Sequence, residues 1–517
     1  MAAKWLKDTV FYEIYPQSFR DTNGDGIGDI NGIIEKLDYI KGLGCNALWI
    51  NPCFDSPFKD AGYDVRDYKK VAPRYGTNND LYRLFGEAHR RGIRVLLDLV
   101  PGHTSEEHPW FKMSGKAEKN EYTNRYIWTN HWWQGCKDMP YIGGECERAA
   151  TYVLNFFKCQ PALNYGFARV DAPWQLPCDH PDAIATREAM KDVMRFWLSH
   201  GCDGFRVDMA ASLVKYDDEN KSATSALWRN VREMLEAEFP DAAMVAEWGF
   251  PKQALRAGYD MDFYLSHEDN GYVSLLREYA RHGDDPNAPD NSYFRRDSAH
   301  DISRFLTEYM DWYQDTRDKG YISMITCNHD TIRPRFNMDM RELKLAYAFL
   351  FTMPGVPFLY YGDEIGMRYQ QLPTKEGGYF RTGSRTPMQW AKGKNLGFSE
   401  GCADALYLPV DPAPDAPTVE EQEGQADSLL NTVRALLALR HSREDLQADA
   451  EFAPLCAEAG KPFVYRRGGL VLAVNPAGEA LPANAETGGR QVIFAIGDAA
   501  LQDGRLVMGP QSFAVLG

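Results

Sequence analysis

The chain has 517 residues, 44% hydrophobic and 25% charged; it is too long for one ordinary domain and apolar enough for a large core, which excludes a disordered or fibrous chain. Fifty-seven Lys and Arg stand against 73 Asp and Glu, a net charge of −16, so the basic stripe of a nucleic-acid binder is missing and no nucleic-acid partner is expected. No run of 18 apolar residues occurs, so no membrane-spanning helix is expected either.

The N-terminus, "MAAKWLKDTVFYEIYPQSF", has no apolar leader core. Ten cysteines are scattered without a C-x-x-C pair. Together these predict reduced thiols in a cytoplasmic protein. The β-branched and aromatic "TVFYEIYPQSF" predicts a first strand. The loop after it, "DTNGDGIGD" (21–29), places Asp21, Asn23, Asp25 and Asp29 at positions 1, 3, 5 and 9 of an EF-hand-like pattern, with Gly26 at position 6. The bidentate Glu that an EF-hand needs at position 12 is Gly32 here, and a strand precedes the loop where a helix belongs. A calcium sensor is therefore disfavoured. The pattern predicts one structural Ca²⁺, held by Asp21, Asn23, Asp25, the Ile27 carbonyl and Asp29.

Strand-like and helix-like segments then alternate. "INGIIEKLDYIKGLG" predicts a helix, "CNALWINP" a strand, "NNDLYRLFGEAHRRG" a helix and "IRVLLDLV" a strand. The period is lost from 103 to about 170, in a stretch rich in Trp, Tyr, Asn and Gly. Its aromatic run "YIWTNHWWQG" (126–135) reads either as the core of a small subdomain or as sugar-stacking rings. Alternation resumes with "CDGFRVDMA", "AAMVAEWG", "YDMDFYL", "YISMITCNHD" and "VPFLYYGDE", separated by helical segments and followed by the helix "SLLNTVRALLALRHSRE". Segments 282–298 and 409–427 read as loops. Eight strands, each followed by a helix, give the (β/α)8 count of a TIM barrel in an α/β chain. The expected division is a barrel over 1–102 and 171–444, an inserted subdomain over 103–170 after strand 3, and a C-terminal antiparallel β-sandwich over 445–517, where short strands alternate with Gly turns.

Catalytic groups of such a barrel sit where strands run into loops. Strand 3 ends in Asp98, followed by His103. Strand 4 carries Arg206 and Asp208, two apart and so on one face. An arginine beside a carboxylate keeps it ionised, which suits a nucleophile. Strand 5 ends in Glu247 beside Trp248; a carboxyl in an aromatic wall holds its proton more tightly, which suits a general acid. Strand 7 ends in Asn328, His329 and Asp330. Asp98 alone reads as a structural ion-pair partner. Together, these groups are the equipment of a retaining glycosidase.

The segments "DLVPGH", "GFRVDMA", "VAEWG" and "CNHD", with "GCNALWINP" and "GVPFLYYGDEIGM", resemble the α-amylase family, glycoside hydrolase family 13, in order and spacing over nearly the whole chain. The resemblance implies Asp208 as nucleophile, Glu247 as acid and then base, and Asp330 as the group that binds the hydroxyls of the reacting sugar. It also implies substrate contacts from Tyr63, Asp64, His103, Arg206 and His329. "DTNGDGIGDINGI", "QPALNY" and "SRTPMQW" resemble the oligo-1,6-glucosidase and α-glucosidase branch, where the first is a metal loop and Arg385 lies near the first sugar. The implied activity is exo-acting, retaining hydrolysis of α-linked oligosaccharides or disaccharides. Alternatives are glucosyl transfer, isomerisation or phosphorolysis by the same site, endo-acting amylase activity and, least favoured, an inactive scaffold. Three positions depart from the pattern. Gly102 replaces an asparagine that binds calcium in many α-amylases, Ala162 replaces an aspartate, and Met209-Ala210 follow the nucleophile.

Overall fold

A computed structural model describes residues 2–266, 270–279, 289–377, 381–502 and 505–517. Eight parallel strands form one sheet: β1 (Phe11–Ile14), β2 (Ala47–Ile50), β3 (Arg94–Leu99), β4 (Gly204–Val207), β5 (Ala243–Ala246), β6 (Met261–Phe263), β7 (Tyr321–Ser323) and β8 (Phe358–Tyr360). Their order is β7-β6-β5-β4-β3-β2-β1-β8. A parallel bridge between Ile325 and Phe358 closes the sheet into a barrel. Buried on both faces, the strands need no polar alternation, and β1, β2, β4 and β5 are buried at every position. The interior is filled by large side chains: Phe11 stacks on Phe358 at 4.3 Å and Trp49 on Phe263 at 5.3 Å between ring centres.

The outer helices carry their own start signals. Thr77 and Asp80 form a capping box on the helix Asn78–Arg90, and Asp339 and Glu342 form another on Met340–Thr352. The helix expected over 30–44 is two, Ile30–Glu35 and Leu37–Leu43. Lys36 between them, at φ −102° and ψ 4°, leaves helical geometry. The loop expected over 409–427 contains a short helix, Val419–Glu423, capped by Thr418. Of the loop expected over 282–298, residues 282–288 lie outside the described residues and 289–298 form turns.

Between β3 and β4 the chain leaves the barrel. There it forms the helix Pro109–Ser114 and a hairpin of Tyr141–Gly143 with Thr151–Val153. The aromatic run divides. Tyr126 and Trp128 are buried and pack with Phe111 and Tyr152 as a small core, whereas Trp132 and Trp133 are 56% and 68% exposed. After the last barrel helix, Leu429–Ser442, eight antiparallel strands follow. They are β9 (Phe452–Cys456), β10 (Phe463–Arg467), β11 (Leu470–Asn475), β12 (Leu481–Glu486), β13 (Val492–Ile496), β14 (Ala499–Gln502), β15 (Arg505–Met508) and β16 (Ser512–Leu516). They form a five-stranded sheet, β9-β10-β11-β16-β13, and a three-stranded sheet, β12-β15-β14. Val471 and Ala473 of the first share a core cluster with Leu506 and Met508 of the second. The Tyr465 hydroxyl bonds Thr352 Oγ1 at 2.6 Å, tying this unit to a barrel helix.

Candidate active site

A pocket of about 380 Å³ opens at the ends of the barrel strands, with Tyr63, His103, Asp208, Glu247 and Asp330 in its wall. Behind its wall, fully buried, lies Arg206. The pairing of β3 with β4 sets Asp98 beside Arg206. One guanidinium nitrogen donates to Asp98 Oδ1 at 2.8 Å and to Asp208 Oδ1 at 3.1 Å; the other meets Glu247 Oε1 at 2.6 Å. The charge also lies 5.0 Å from the centre of the Trp49 ring. Three carboxylates therefore share one buried cation. Asp98 also accepts from Trp49 Nε1 and the Tyr63 hydroxyl, both at 3.0 Å. Burial pushes it up to about 6 against the pull of Arg206. Asp98 is the ion-pair partner expected, and it also anchors Tyr63.

The expected electrostatics of the pair differ in one respect. Arg206 does pull Asp208 toward the charged form, but burial and the neighbouring Glu247 push Asp208 well above the usual carboxylate range. Glu247 faces Arg206 rather than a purely aromatic wall, and its Oε2 accepts the Met209 N–H at 2.9 Å. Asp208 therefore holds its proton more tightly than an ordinary carboxyl, beside a guanidinium it shares with Glu247. Met209 is held at φ 43°, in the left-handed region. That strained conformation turns its N–H to Glu247 and leaves its side chain in the pocket wall.

Across Tyr63 from the Arg206 group, two cations converge on one carboxylate. Asp330 Oδ1 receives Arg385 at 2.8 Å and Arg381 at 3.2 Å, and His329 Nε2 lies 3.4 Å from Oδ2. Burial would raise Asp330, but the guanidiniums of Arg381 and Arg385 hold it well below the usual range. Arg381 reaches on to Asp60 at 2.9 Å, which also receives Gln160 at 2.7 Å. Arg385 reaches on to Glu376 at 2.9 Å and to the His329 carbonyl at 2.8 Å. Of these groups Asp60, Asp330 and Arg381 line the pocket, and Arg385 and Glu376 support them from behind. His329 stacks on Tyr63, with Nε2 2.7 Å from its hydroxyl and Nδ1 2.9 Å from Glu13. Burial keeps His329 neutral. His103 Nε2 lies 3.1 Å from the Tyr63 carbonyl, and burial lowers its ring to about 4.

Asp64 is not in the pocket wall. It accepts from Ser56 Oγ and from the backbone N–H groups of Lys59 and Asp60, so it shapes the loop that presents Asp60 and Tyr63. At Gly102, a Cβ would stand 2.9 Å from Asn155 Nδ2. That amide instead lies 3.0 Å from His103 Nδ1, and its Oδ1 receives the Lys215 ammonium at 3.2 Å. Sequence reasoning missed Arg381, Asp60, Gln160, Glu376 and Asn155. Only Arg381 carried a signal, four residues before Arg385 in the same segment.

The 21–29 loop lies apart from the pocket. Its donors are all oxygen, which fits calcium by type. Asp21 takes the N–H groups of Asn23, Gly24 and Gly26 and the Ser399 hydroxyl. Asp25 takes the Ile27 N–H, and Asp29 takes Thr22 and caps the first helix through Gly32. Gly26, at φ 89°, is required, since a Cβ there would meet the Ala405 carbonyl at 2.0 Å. The loop thus holds its shape with its own donors. Among the described residues no group of three or more His, Cys, Asp and Glu side chains is gathered as a metal centre.

The model for the alpha-amylase catalytic domain matches residues 13–449. A trehalose synthase/amylase of Mycolicibacterium smegmatis is 35% identical over 90% of this chain and 80% of its own length. A probable oligo-1,6-glucosidase of Bacillus subtilis is 32% identical over 90% and 89%. Among solved structures, an isomaltulose synthase from Erwinia rhapontici, a mutant in complex with sucrose, superposes with a TM-score of 0.79 at 25% identity over 99% of each chain.

Proposed function

The chain belongs to the alpha-amylase family, and within it we propose a retaining, exo-acting α-glucosidase that removes one glucosyl unit from the non-reducing end of a short α-linked saccharide. The reading rests above all on one observation. A single guanidinium, Arg206, holds together Asp208 and Glu247, which line a pocket whose wall also carries Asp330 and Arg381, supported by Arg385.

In this mechanism Asp208 attacks the anomeric carbon while Glu247 gives its proton to the leaving oxygen. Glu247 then takes a proton from water, which attacks the glucosyl-enzyme, and configuration is retained. Asp330, ionised at any working pH, accepts from the sugar hydroxyls, and neutral His103 and His329 fix the ring without adding charge. Exo action is preferred to endo because Arg381 joins Asp330 to Asp60 across the wall of the pocket, where a longer chain would have to pass. A second reading has one specific support, the trehalose synthase among the relatives: the same glucosyl-enzyme is captured by a sugar hydroxyl instead of water. A calcium ion in the 21–29 loop is proposed only as a brace, with no step in the chemistry, and the cytoplasm as the compartment. Among the described residues no helix is long and apolar enough to cross a membrane.

Maltose, isomaltose, sucrose, trehalose and maltotriose offered to the purified protein decide between the readings. The expected outcome is free glucose, released first as the α-anomer. New disaccharide without free glucose would establish the transfer reading, and β-glucose as first product would overturn the retaining mechanism.

A further inference from the structure

A second hollow, of about 440 Å³, lies away from the active pocket, where the barrel helix Pro181–Ser199 meets the segment 108–125. Two hydrogen-bond donors in its wall have no acceptor among the described residues. His108 is only 4% exposed, and its Nδ1 accepts the Trp110 N–H at 3.0 Å. Burial and the nearby charge of Arg125 hold the ring near 3, so it is neutral. A neutral ring that accepts at Nδ1 carries its proton on Nε2. The second donor is the guanidinium of Arg125, which lies 4.9 Å from the centre of the Trp110 ring and 5.5 Å from that of Tyr122 and makes no ion pair.

The other cations of the wall are answered. Lys69 pairs with Asp192, and Arg66 with Asp55 and Glu107. Among the described residues Arg125 is thus the cation of this lining with no carboxylate at ion-pair distance. An unpaired guanidinium beside a buried N–H donor is a seat for an oxyanion, and Arg matches phosphate geometry with parallel N–H bonds. The space exceeds what a bare ion needs, and the walls are aromatic, which suits the body of a sugar.

We propose that this hollow binds a monosaccharide phosphate, with the phosphate on Arg125 and His108 Nε2–H and the sugar against Trp110 and Tyr122. The site is joined to the catalytic pocket through Tyr68. This residue lines the hollow, and its hydroxyl bonds the carbonyls of Val100 at 2.8 Å and His103 at 2.7 Å. Occupancy thus stiffens the loop that carries His103.

Isothermal titration of the full chain with glucose 6-phosphate, inorganic phosphate and glucose tests this. The expected order is glucose 6-phosphate tightest, inorganic phosphate weaker, and glucose without heat at this site. Arg125→Ala should weaken glucose 6-phosphate at least about tenfold, or 1.4 kcal/mol, with unchanged turnover in the absence of phosphate. On Asp208→Asn, saturating maltose should leave glucose 6-phosphate binding in place, which separates this hollow from the active pocket whatever that pocket's substrate. Equal binding by the wild type and Arg125→Ala, competition by maltose, or no heat with either phosphate would overturn the proposal.

Discussion

Two regions of the active site arrange the same residue types differently: in one a single cation is divided among carboxylates, in the other two cations converge on one carboxylate. Around Arg206 one cation serves three carboxylates, Asp98, Asp208 and Glu247. Around Asp330 two cations, Arg381 and Arg385, converge on one carboxylate and share their other ends with Asp60 and Glu376. Asp98 and Asp208 are buried, whereas the Asp330 side chain is 33% exposed, so exposure and the number of cations act together. With too few cations, burial wins and protons are retained: Asp98 rises to about 6 and Asp208 moves upward as well. With two guanidiniums on one partly exposed carboxylate, charge wins and Asp330 stays ionised. The first arrangement can give and take a proton during a reaction; the second offers a fixed negative charge.

The sharpest way to break this contrast is to remove charge in the first region. Asp208→Asn and Glu247→Gln are each expected to lower kcat on any substrate that is turned over by about ten-thousandfold, with the far-ultraviolet spectrum unchanged. Substantial residual turnover by Asp208→Asn would remove it as nucleophile.

A subtler test uses stability against pH, where the two regions predict slopes of opposite sign. Asp330 lies below its ordinary 3.8, so its contribution is present above 3.8 and is lost as pH falls further. Asp98 is raised from 3.8 to about 6, so its contribution is complete below 3.8 and is lost as pH rises through 6. Asp330→Asn should therefore flatten the acid limb of a melting-temperature profile. Asp98→Asn should flatten the fall between pH 4 and 6. Slopes of the same sign in both differences would refute the contrast.

The smallest effect is expected in the 21–29 loop, where carboxylates are answered by N–H groups rather than cations. If calcium adds a brace there, EDTA lowers the melting temperature modestly and excess Ca²⁺ restores it, through binding to the folded state alone. Kinetic constants at a temperature where the protein stays folded should not change. Identical melting with and without chelator would argue that the loop's own hydrogen bonds suffice.

The contrast also marks what was legible in the sequence. Asp98, Arg206, Asp208, Glu247, His329 and Asp330 were readable because strands have a period of two and a barrel brings their ends to one mouth. The other halves of the salt links were not. Asp60, Gln160, Glu376 and Arg381 lie in loops with no period, and only the folded chain brings Asp60 within reach of Arg381, 321 positions away. The division of the aromatic run 126–135 was equally hidden. Trp128 is buried and Trp133 exposed because the chain turns between them, and neither composition nor spacing encodes that turn. The break at Lys36 is of the same kind, a local departure inside a segment whose apolar spacing favours one helix.

On the proposed exo-acting reading, the links of Arg381 to Asp330 and Asp60 impose a timetable. A vessel with one opening is emptied and refilled through the same door. The departing half of the substrate must clear the entrance before water or another acceptor can enter, so the fate of the trapped sugar depends on who passes the threshold next. The lifetime of the departing group there, set by residues such as Phe156 and Met209 at the rim, then becomes a clock: quick departure admits water, and slow departure allows the same molecule to turn and be rejoined.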